Sequence, residues 1–202
     1  LETFSSQLRE KNKLVTLKNE VLKNNMKFNL ISKSSTKNLW NRHIVDSAQL
    51  IKSLPEGFNR FIDIGSGAGF PGLVLKILDS KLDGHLVESN TKKANFLSNT
   101  SKLLGLDLKI HNSRFENLKL PKNEKKFILV SRAVSSLNKL IKISLPFFQT
   151  GSVALFHKGK KWKEEVSEAN KFWSFEIKAI ESLTNKDSRI LLLKNVLIRN
   201  ND

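Results

Sequence analysis

The run Asp63-Ile64-Gly65-Ser66-Gly67-Ala68-Gly69-Phe70-Pro71-Gly72 limits the possible folds more than any other stretch of the chain. It follows an apolar segment, Phe61 to Ile64, that reads as a strand, and it leads into a helix expected to start at Pro71, where a missing N–H costs nothing in the first turn. Glycine at such a strand-to-helix turn lets the backbone bend tightly and approach a ligand without a Cβ in the way. In an open α/β sheet that turn is where a nucleotide-like ligand binds. The dinucleotide fingerprint requires glycine at its first, third and sixth positions, and here the sixth position is Phe70. The spacing is G-x-G-x-G instead, with the carboxylate of Asp63 two residues ahead of it.

The rest of the chain supplies the sheet that such a turn needs. Up to about residue 53 there is no Gly or Pro, and apolar residues recur at helical spacing: Leu8, Val15 and Leu22 at sevens, with Leu14, Leu17 and Val21 between them. Ser34-Ser35-Thr36 supplies an N-cap for a second helix through Leu39, Trp40, Ile44, Ala48 and Ile51, which Pro55-Glu56-Gly57 ends. Gly84 to Val87, Leu108 to Ile110, Phe127 to Val130 and Val153 to Phe156 read as further strands. Between them fall a helix capped by Asn90 and closed by Gly105, with Ala94, Leu97 and Leu104 inward, and another near Ser136 to Leu145. A last helix places Trp162, Val166, Ala169 and Trp173 on one side, and segments around Phe175 to Ile180 and Ile190 to Ile198 form an antiparallel pair. Strand and helix alternate, which predicts a Rossmann-like, mostly parallel α/β sheet with helices on both faces and one antiparallel strand near the C-terminus.

Charge narrows the partner. Lys plus Arg is 35 against 19 Asp plus Glu, a net charge of +16 that favours a polyanion such as nucleic acid. Hydrophobic content of 39% with 13 Phe is enough for a core, so a disordered basic tail is excluded. With no Cys there are no disulfides, thiolate zinc sites or Cys nucleophiles. Apolar runs such as Ile190 to Leu193 are far below the ~18 residues needed to span a bilayer, and no secretory signal opens the chain, so the expectation is a cytoplasmic protein away from membranes.

The glycine run is similar to the S-adenosyl-L-methionine-binding loop of Rossmann-like methyltransferases, in which the leading acid, here Asp63, reaches the amino-acid end of the cofactor. A second acid, Glu88, ends the second strand, where a carboxylate can accept from both ribose hydroxyls. Taken singly Glu88 reads as an ordinary exposed carboxylate; its joint placement with the loop changes that. Further motifs make the likeness specific: Asn29-Leu30, Arg42-His43-Ile44-Val45-Asp46-Ser47, the continuation of the loop as Phe70-Pro71-Gly72, Glu88-Ser89-Asn90 with Lys92-Lys93, Ser131-Arg132-Ala133 with Ser136-Leu137, and Lys158-Gly159. On these residues the chain resembles the GidB/RsmG family, which methylates guanine N7 in the decoding-region loop of 16S ribosomal RNA. One departure is Phe127, where the family usually carries an acid at the start of the fourth strand.

The resemblance implies a methyltransferase domain over residues 54–202 behind a helical extension over 1–53. It implies a monomer acting on 16S rRNA within a small-subunit particle or its precursor, with S-adenosyl-L-methionine as cofactor and no metal. Cofactor contacts would come from Asp63, Gly65, Gly67, Gly69, Phe70, Glu88, Phe115, Glu116 and Arg132. Arg114, Arg132 and Arg189 are the candidate catalytic residues, facing the RNA and the reacting base. Guanine N7 has a free lone pair and no proton, so its methylation needs alignment and desolvation rather than a general base. Arginine suits that work, because its fork pairs with guanine O6, phosphate or carboxylate. In a chain with only seven arginines, three near strand ends carry weight, whereas Arg9 and Arg199 read as solvated.

Other residues have plainer readings. His43 and Asp46, three apart, read as a structural pair docking the helical extension onto the domain. His85, His111 and His157 lack metal-ligand spacing, and Trp162 and Trp173 read as core. Lys158, Lys160, Lys161 and Lys163 are either a solvated face or an RNA-phosphate contact. Three alternatives stay open at this point: an NAD-linked oxidoreductase, which Phe70 disfavours; another RNA methyltransferase or a small-molecule one, the latter hard to reconcile with +16; and a non-catalytic RNA-binding or ribosome-assembly factor of the same fold.

Overall fold

A computed structural model describes residues 2–120 and 126–199. The outermost bounds of the two expected parts, residues 1 and 202, lie outside them. Seven strands form one sheet: β1 (Arg60–Ile64), β2 (Asp83–Val87), β3 (Leu108–His111), β4 (Ile128–Arg132), β5 (Val153–Lys158), β6 (Trp173–Glu181) and β7 (Arg189–Ile198), in the order β3-β2-β1-β4-β5-β7-β6. All neighbours are parallel except at β7, which is antiparallel to both β5 and β6. The predicted Rossmann-like sheet with one antiparallel strand near the C-terminus is the observed one. The order reverses between β1 and β4, and in open α/β sheets ligands bind beyond the carboxyl ends of the strands at that point.

Side chains alternate along the strands, so each face of the sheet carries its own core. Phe61 of β1 with Ile128 and Val130 of β4 faces one way, and Ile62, Ile64 and Leu129 face the other. The first face is covered by α4 (Gly72–Leu78), α5 (Thr91–Leu103) and the N-terminal helix α1 (Glu2–Asn25). The second is covered by α6 (Leu137–Phe148), through Leu137, Leu140 and Ile141. The inward stripe of α1 is Leu14, Leu17 and Val21, a 3-then-4 spacing, while Leu8 and Val15 are exposed.

Several local expectations hold. Asn90 accepts from the Lys92 and Lys93 N–H groups at the start of α5, and a helix follows Ser136, which the structure shows to be its cap, accepting from Lys139 N–H. Others are corrected. The helix after the glycine run begins at Gly72, with Pro71 as its cap residue. The second N-terminal helix is a relay rather than one cylinder: α2 (Lys33–Thr36), a π-helical turn (Trp40–Val45), α3 (Asp46–Ala48) and a 3-10 turn (Gln49–Ser53), with Ser32 as the cap residue. Trp173 does not continue the last helix, α7 (Trp162–Ala169); it opens β6 and is buried there, with its indole N–H donating to Asn138 at 2.6 Å. Trp162 is only partly buried.

Candidate active site

The glycine run turns through left-handed backbone at Gly65 (φ +69°), Gly67 (+57°) and Gly69 (+89°), a conformation that side-chain-bearing residues adopt at a cost. At Gly65 a Cβ would also lie 2.7 Å from Val134 Cγ2, so the turn and the residues after β4 fit together only without a side chain there. Two carboxylates brace the turn from beneath. Asp63 is fully buried and accepts from Gly72 N–H at 2.9 Å, while its other oxygen has no hydrogen-bond partner among the described residues. Glu88 accepts from Gly67 N–H at 2.9 Å with one oxygen and from Asn90 N–H at 2.8 Å with the other. A carboxylate oxygen has two lone pairs, so Glu88 holds the loop and keeps acceptor capacity for a ligand's hydroxyls.

Beside this turn lies a narrow cleft of about 140 Å³, lined among others by Gly65, Val87, Arg114, Phe115, Glu116 and Val134. Phe115 is buried and stacks on Phe147, with centroids 5.2 Å apart, which gives the cleft one flat apolar wall. The unpartnered oxygen of Asp63, the free acceptor capacity of Glu88 and that wall fit an adenosine-bearing cationic cofactor. The groups would serve its charged end, its ribose hydroxyls and its base in turn.

Burial pushes the Asp63 carboxyl up to about 7, against the opposing pull of Gly72 N–H. A folded-state value above the unfolded one contributes stability that is complete below the unfolded value and is lost as pH rises through about 7. His43 and His157 shift downward and work in the opposite sense over part of that range, so the contribution is read as a difference between variants. The stability of Asp63→Asn relative to the parent, from urea unfolding between pH 4 and pH 8, should rise by about 4 kcal/mol and level off above pH 7. A pH-independent difference would contradict the assignment.

A second, larger cleft of about 810 Å³ opens on the other side of the residues that follow β4. Its lining mixes amides and hydroxyls (Asn38, Asn41, Thr184 and Asn185 among them) with Arg132, and Ser135 lines both clefts. Arg132, at the end of β4, reaches across to the N-terminal relay. Its Nη1 donates to the Arg42 carbonyl at 2.6 Å and lies 3.5 Å from Asp46 Oδ2, and its Nη2 donates to His43 Nδ1. The guanidinium also sits over Phe70, 5.4 Å from the ring centroid, and His43 stacks on the same ring at 5.0 Å. Burial, then the positive charges of Arg132 and Arg42, pull His43 down to about 3. The ring is therefore neutral and accepts from a group that can only donate.

The predicted residues thus divide. Gly65, Phe115, Glu116 and Arg114 line the narrow cleft, with Arg114 and Glu116 exposed. Asp63, Gly67, Gly69 and Glu88 form the turn beside it. Arg132 lines the larger cleft, and Phe70 is packed against its guanidinium. Arg189 lines neither. It donates to the Lys186 and Ser188 carbonyls at 2.7 and 2.8 Å, pairs with Glu181 at 3.5 Å, and lies 5.8 Å from the Trp162 ring. The three arginines share the carboxyl edge of the sheet but not one pocket. Lys158 is not part of a solvated or RNA-contacting run. It is buried, donating to the Ser135 carbonyl at 2.6 Å and to Glu165 at 2.8 Å, whereas Lys160 and Lys161 are exposed. His43 and Asp46 do dock the relay, but onto Arg132 itself. Sequence reading missed Asn38, Asn41, Thr184 and Asn185, which no spacing marks because the fold brings them together from distant segments. Among the described residues no group of three His, Asp or Glu could hold a metal, and no helix is long and apolar enough to cross a membrane.

Comparison with known proteins follows the same lines. The profile of the family described as "GidB: rRNA small subunit methyltransferase G" matches residues 10–192. Proteins named ribosomal RNA small subunit methyltransferase G from Rhodospirillum centenum and Caulobacter vibrioides are 35% and 40% identical over 175 and 171 residues. These alignments cover 87% and 83% of this chain and 79% and 77% of theirs. A relative of the same name from a Ruegeria species is 37% identical over 184 residues, 88% of this chain and 87% of its own. Among solved structures, a SAM-dependent methyltransferase from Aquifex aeolicus superposes with a TM-score of 0.54 at 15% identity, covering 81% of this chain and 97% of that one. The tRNA m1G37 methyltransferase of M. jannaschii gives 0.53 at 16% identity, covering 84% and 51%. At these identities the likeness is one of fold.

Proposed function

The chain belongs to the GidB family of small-subunit ribosomal RNA methyltransferases, and we propose that it methylates N7 of one guanine in the decoding-region loop of 16S rRNA. It is an S-adenosyl-L-methionine-dependent rRNA methyltransferase. The observation that carries the finer reading is the pair of clefts meeting at Ser135, one shaped for the cofactor and the other, roomier and amide-lined, for an extruded base. When bound, the cofactor supplies an electrophilic methyl group. The chain's own work is to hold the base edge-on and dry: N7 has no proton to remove, and the acceptors that line the larger cleft are already bonded within the protein, Asp46 to Arg132, Gln49 and Thr184, Glu165 to Lys158 and Leu137 N–H, and His43 to Arg132. Arg132 faces the base side of that meeting point. The reading carries with it a monomer in the cytoplasm, acting on a small-subunit particle or precursor.

The rim of the larger cleft supports a polyanionic substrate. Lys33, Lys37, Arg42, Lys160, Lys161 and Lys186 are exposed on the three segments that surround it. Each phosphate contact adds about 0.9 to the magnitude of the slope of log affinity against log salt. Lys160→Ala with Lys161→Ala should weaken binding to small subunits about 10-fold near physiological salt and flatten that slope by about 2, read by filter binding across a salt series. An unchanged slope would remove these lysines from the interface.

The deciding experiment is transfer of labelled methyl from S-adenosyl-L-methionine to small subunits lacking their native modifications, with the labelled nucleotide mapped by mass spectrometry. Label on N7 of a single guanine in the decoding-region loop is expected. Label elsewhere, or none despite cofactor binding, would overturn the target.

A further inference from the structure

One carboxylate joins the N-terminal relay to the end of β4, the end of β5 and the 182–184 loop around the larger cleft. Asp46 stands just after the π-helical turn of the N-terminal relay. Its Oδ2 faces Arg132 Nη1 at 3.5 Å, with both side chains largely buried. Its Oδ1 accepts from Gln49 Nε2 at 2.8 Å and from Thr184 Oγ1 at 2.6 Å, with Ser182 Oγ at 3.5 Å. Its backbone carbonyl accepts from His157 Nε2–H at 2.9 Å, at the end of β5. Docking of the relay alone does not call for this arrangement, since Arg42 O and His43 Nδ1 already anchor it to Arg132. What Asp46 adds is the only carboxylate that the described residues pair with Arg132, together with a direct tie from that pair to the 182–184 loop on the opposite wall.

We infer that Asp46 is a positioning residue for methyl transfer: it fixes the direction of the Arg132 guanidinium and couples it to the 182–184 loop, so that the base-binding cleft and the cation on its floor are set together. The π-helical turn fits this role. Such turns are uncommon and recur at functional sites, and this one delivers His43 and Asp46 to the same guanidinium. The inference rests on Arg132 acting in transfer, and its test separates the two.

The test is a double-mutant cycle on methyl transfer to unmodified small subunits, with saturating cofactor, using Asp46→Asn, Arg132→Lys and the double variant. Asp46→Asn should lower kcat about 20-fold while KM for the subunit moves less than about threefold, measured well below the melting temperature of the variant, which should fall because a buried cation loses its partner charge. Arg132→Lys should lower kcat by a similar factor. In the double variant Asp46→Asn should cost less than about twofold beyond Arg132→Lys, because residues acting through one another are not additive. Asp46→Glu, which restores the charge one methylene further out, should recover part of the rate and carries the test if Asp46→Asn does not fold. Parental kcat in the folded Asp46 variants, or losses that multiply in the double variant, overturns the inference. Parental kcat in Arg132→Lys overturns the reading of Arg132 on which it rests.

Discussion

Replacing Arg132 by alanine is expected to lower methyl transfer by at least about 100-fold, the scale on which loss of a single preorganised donor reduces enzymatic rates. The argument is geometric. Arg132 leaves the end of β4 into the larger cleft, and its position is fixed by the Arg42 carbonyl, His43, Asp46 and the face of Phe70. Its truncation removes a cation from the place where the base edge would lie and frees His43 and Phe70 to rearrange. Stability should also fall, by about 3 kcal/mol, near the low end for breaking a buried ion pair. The low end applies because Asp46 keeps Thr184 and Gln49 as donors. The fold should survive, so the rate is measured on native protein at a temperature below both melting points. Transfer within threefold of the parent would remove Arg132 from the site.

The second large effect is expected at Glu88. Glu88→Ala strips the acceptors from the Gly67 and Asn90 N–H groups and leaves the glycine turn without its brace. Hydrogen bonds to a charged group contribute roughly 1.5–3 kcal/mol each, so unfolding free energy should drop by about 3 kcal/mol. Affinity for S-adenosyl-L-methionine, read by calorimetry, should fall by more than about 100-fold, because both the loop and the ribose acceptor are lost. Glu88→Gln is no gentle replacement. Gly67 and Asn90 present N–H groups to opposite oxygens, so whichever way the amide turns, an NH2 meets one of them. It too should bind cofactor at least about 10-fold more weakly than the parent, and parental affinity in this variant would show that Glu88 is not a ligand-side residue.

Much of this was legible because the signals are local. The glycine spacing and the Asn90 cap depend on a few neighbouring residues, and the near-continuous apolar run of β4 reports a strand buried on both faces. Trp173 was misassigned because the 3.6-residue repeat continues past Ala169 into a residue that a sheet claims instead. Lys158 was opaque for a different reason. Its partners, Ser135 and Glu165, lie on other elements, and nothing in a run of lysines tells which one turns inward. The pairing of Asp46 with Arg132 spans the N-terminal relay and the end of β4, a relation that only the closed fold creates.

The way α1 is buried has a bearing on synthesis. Its stripe of Leu14, Leu17 and Val21 belongs to the same cluster as Leu73 and Leu75 of α4 and Leu97 of α5. The helix is translated before any of them. Early in synthesis only the relay is there for it to meet, through Leu39 and Ile44 of the same cluster, and the face of the sheet it covers is complete only when β4 and β5 have followed. Long-range pairings of this kind are slow to form and leave apolar surface open in the meantime. A helix made before its partners is thus among the last to be fully shielded, and its apolar stripe stays open while the strands beneath it are being added.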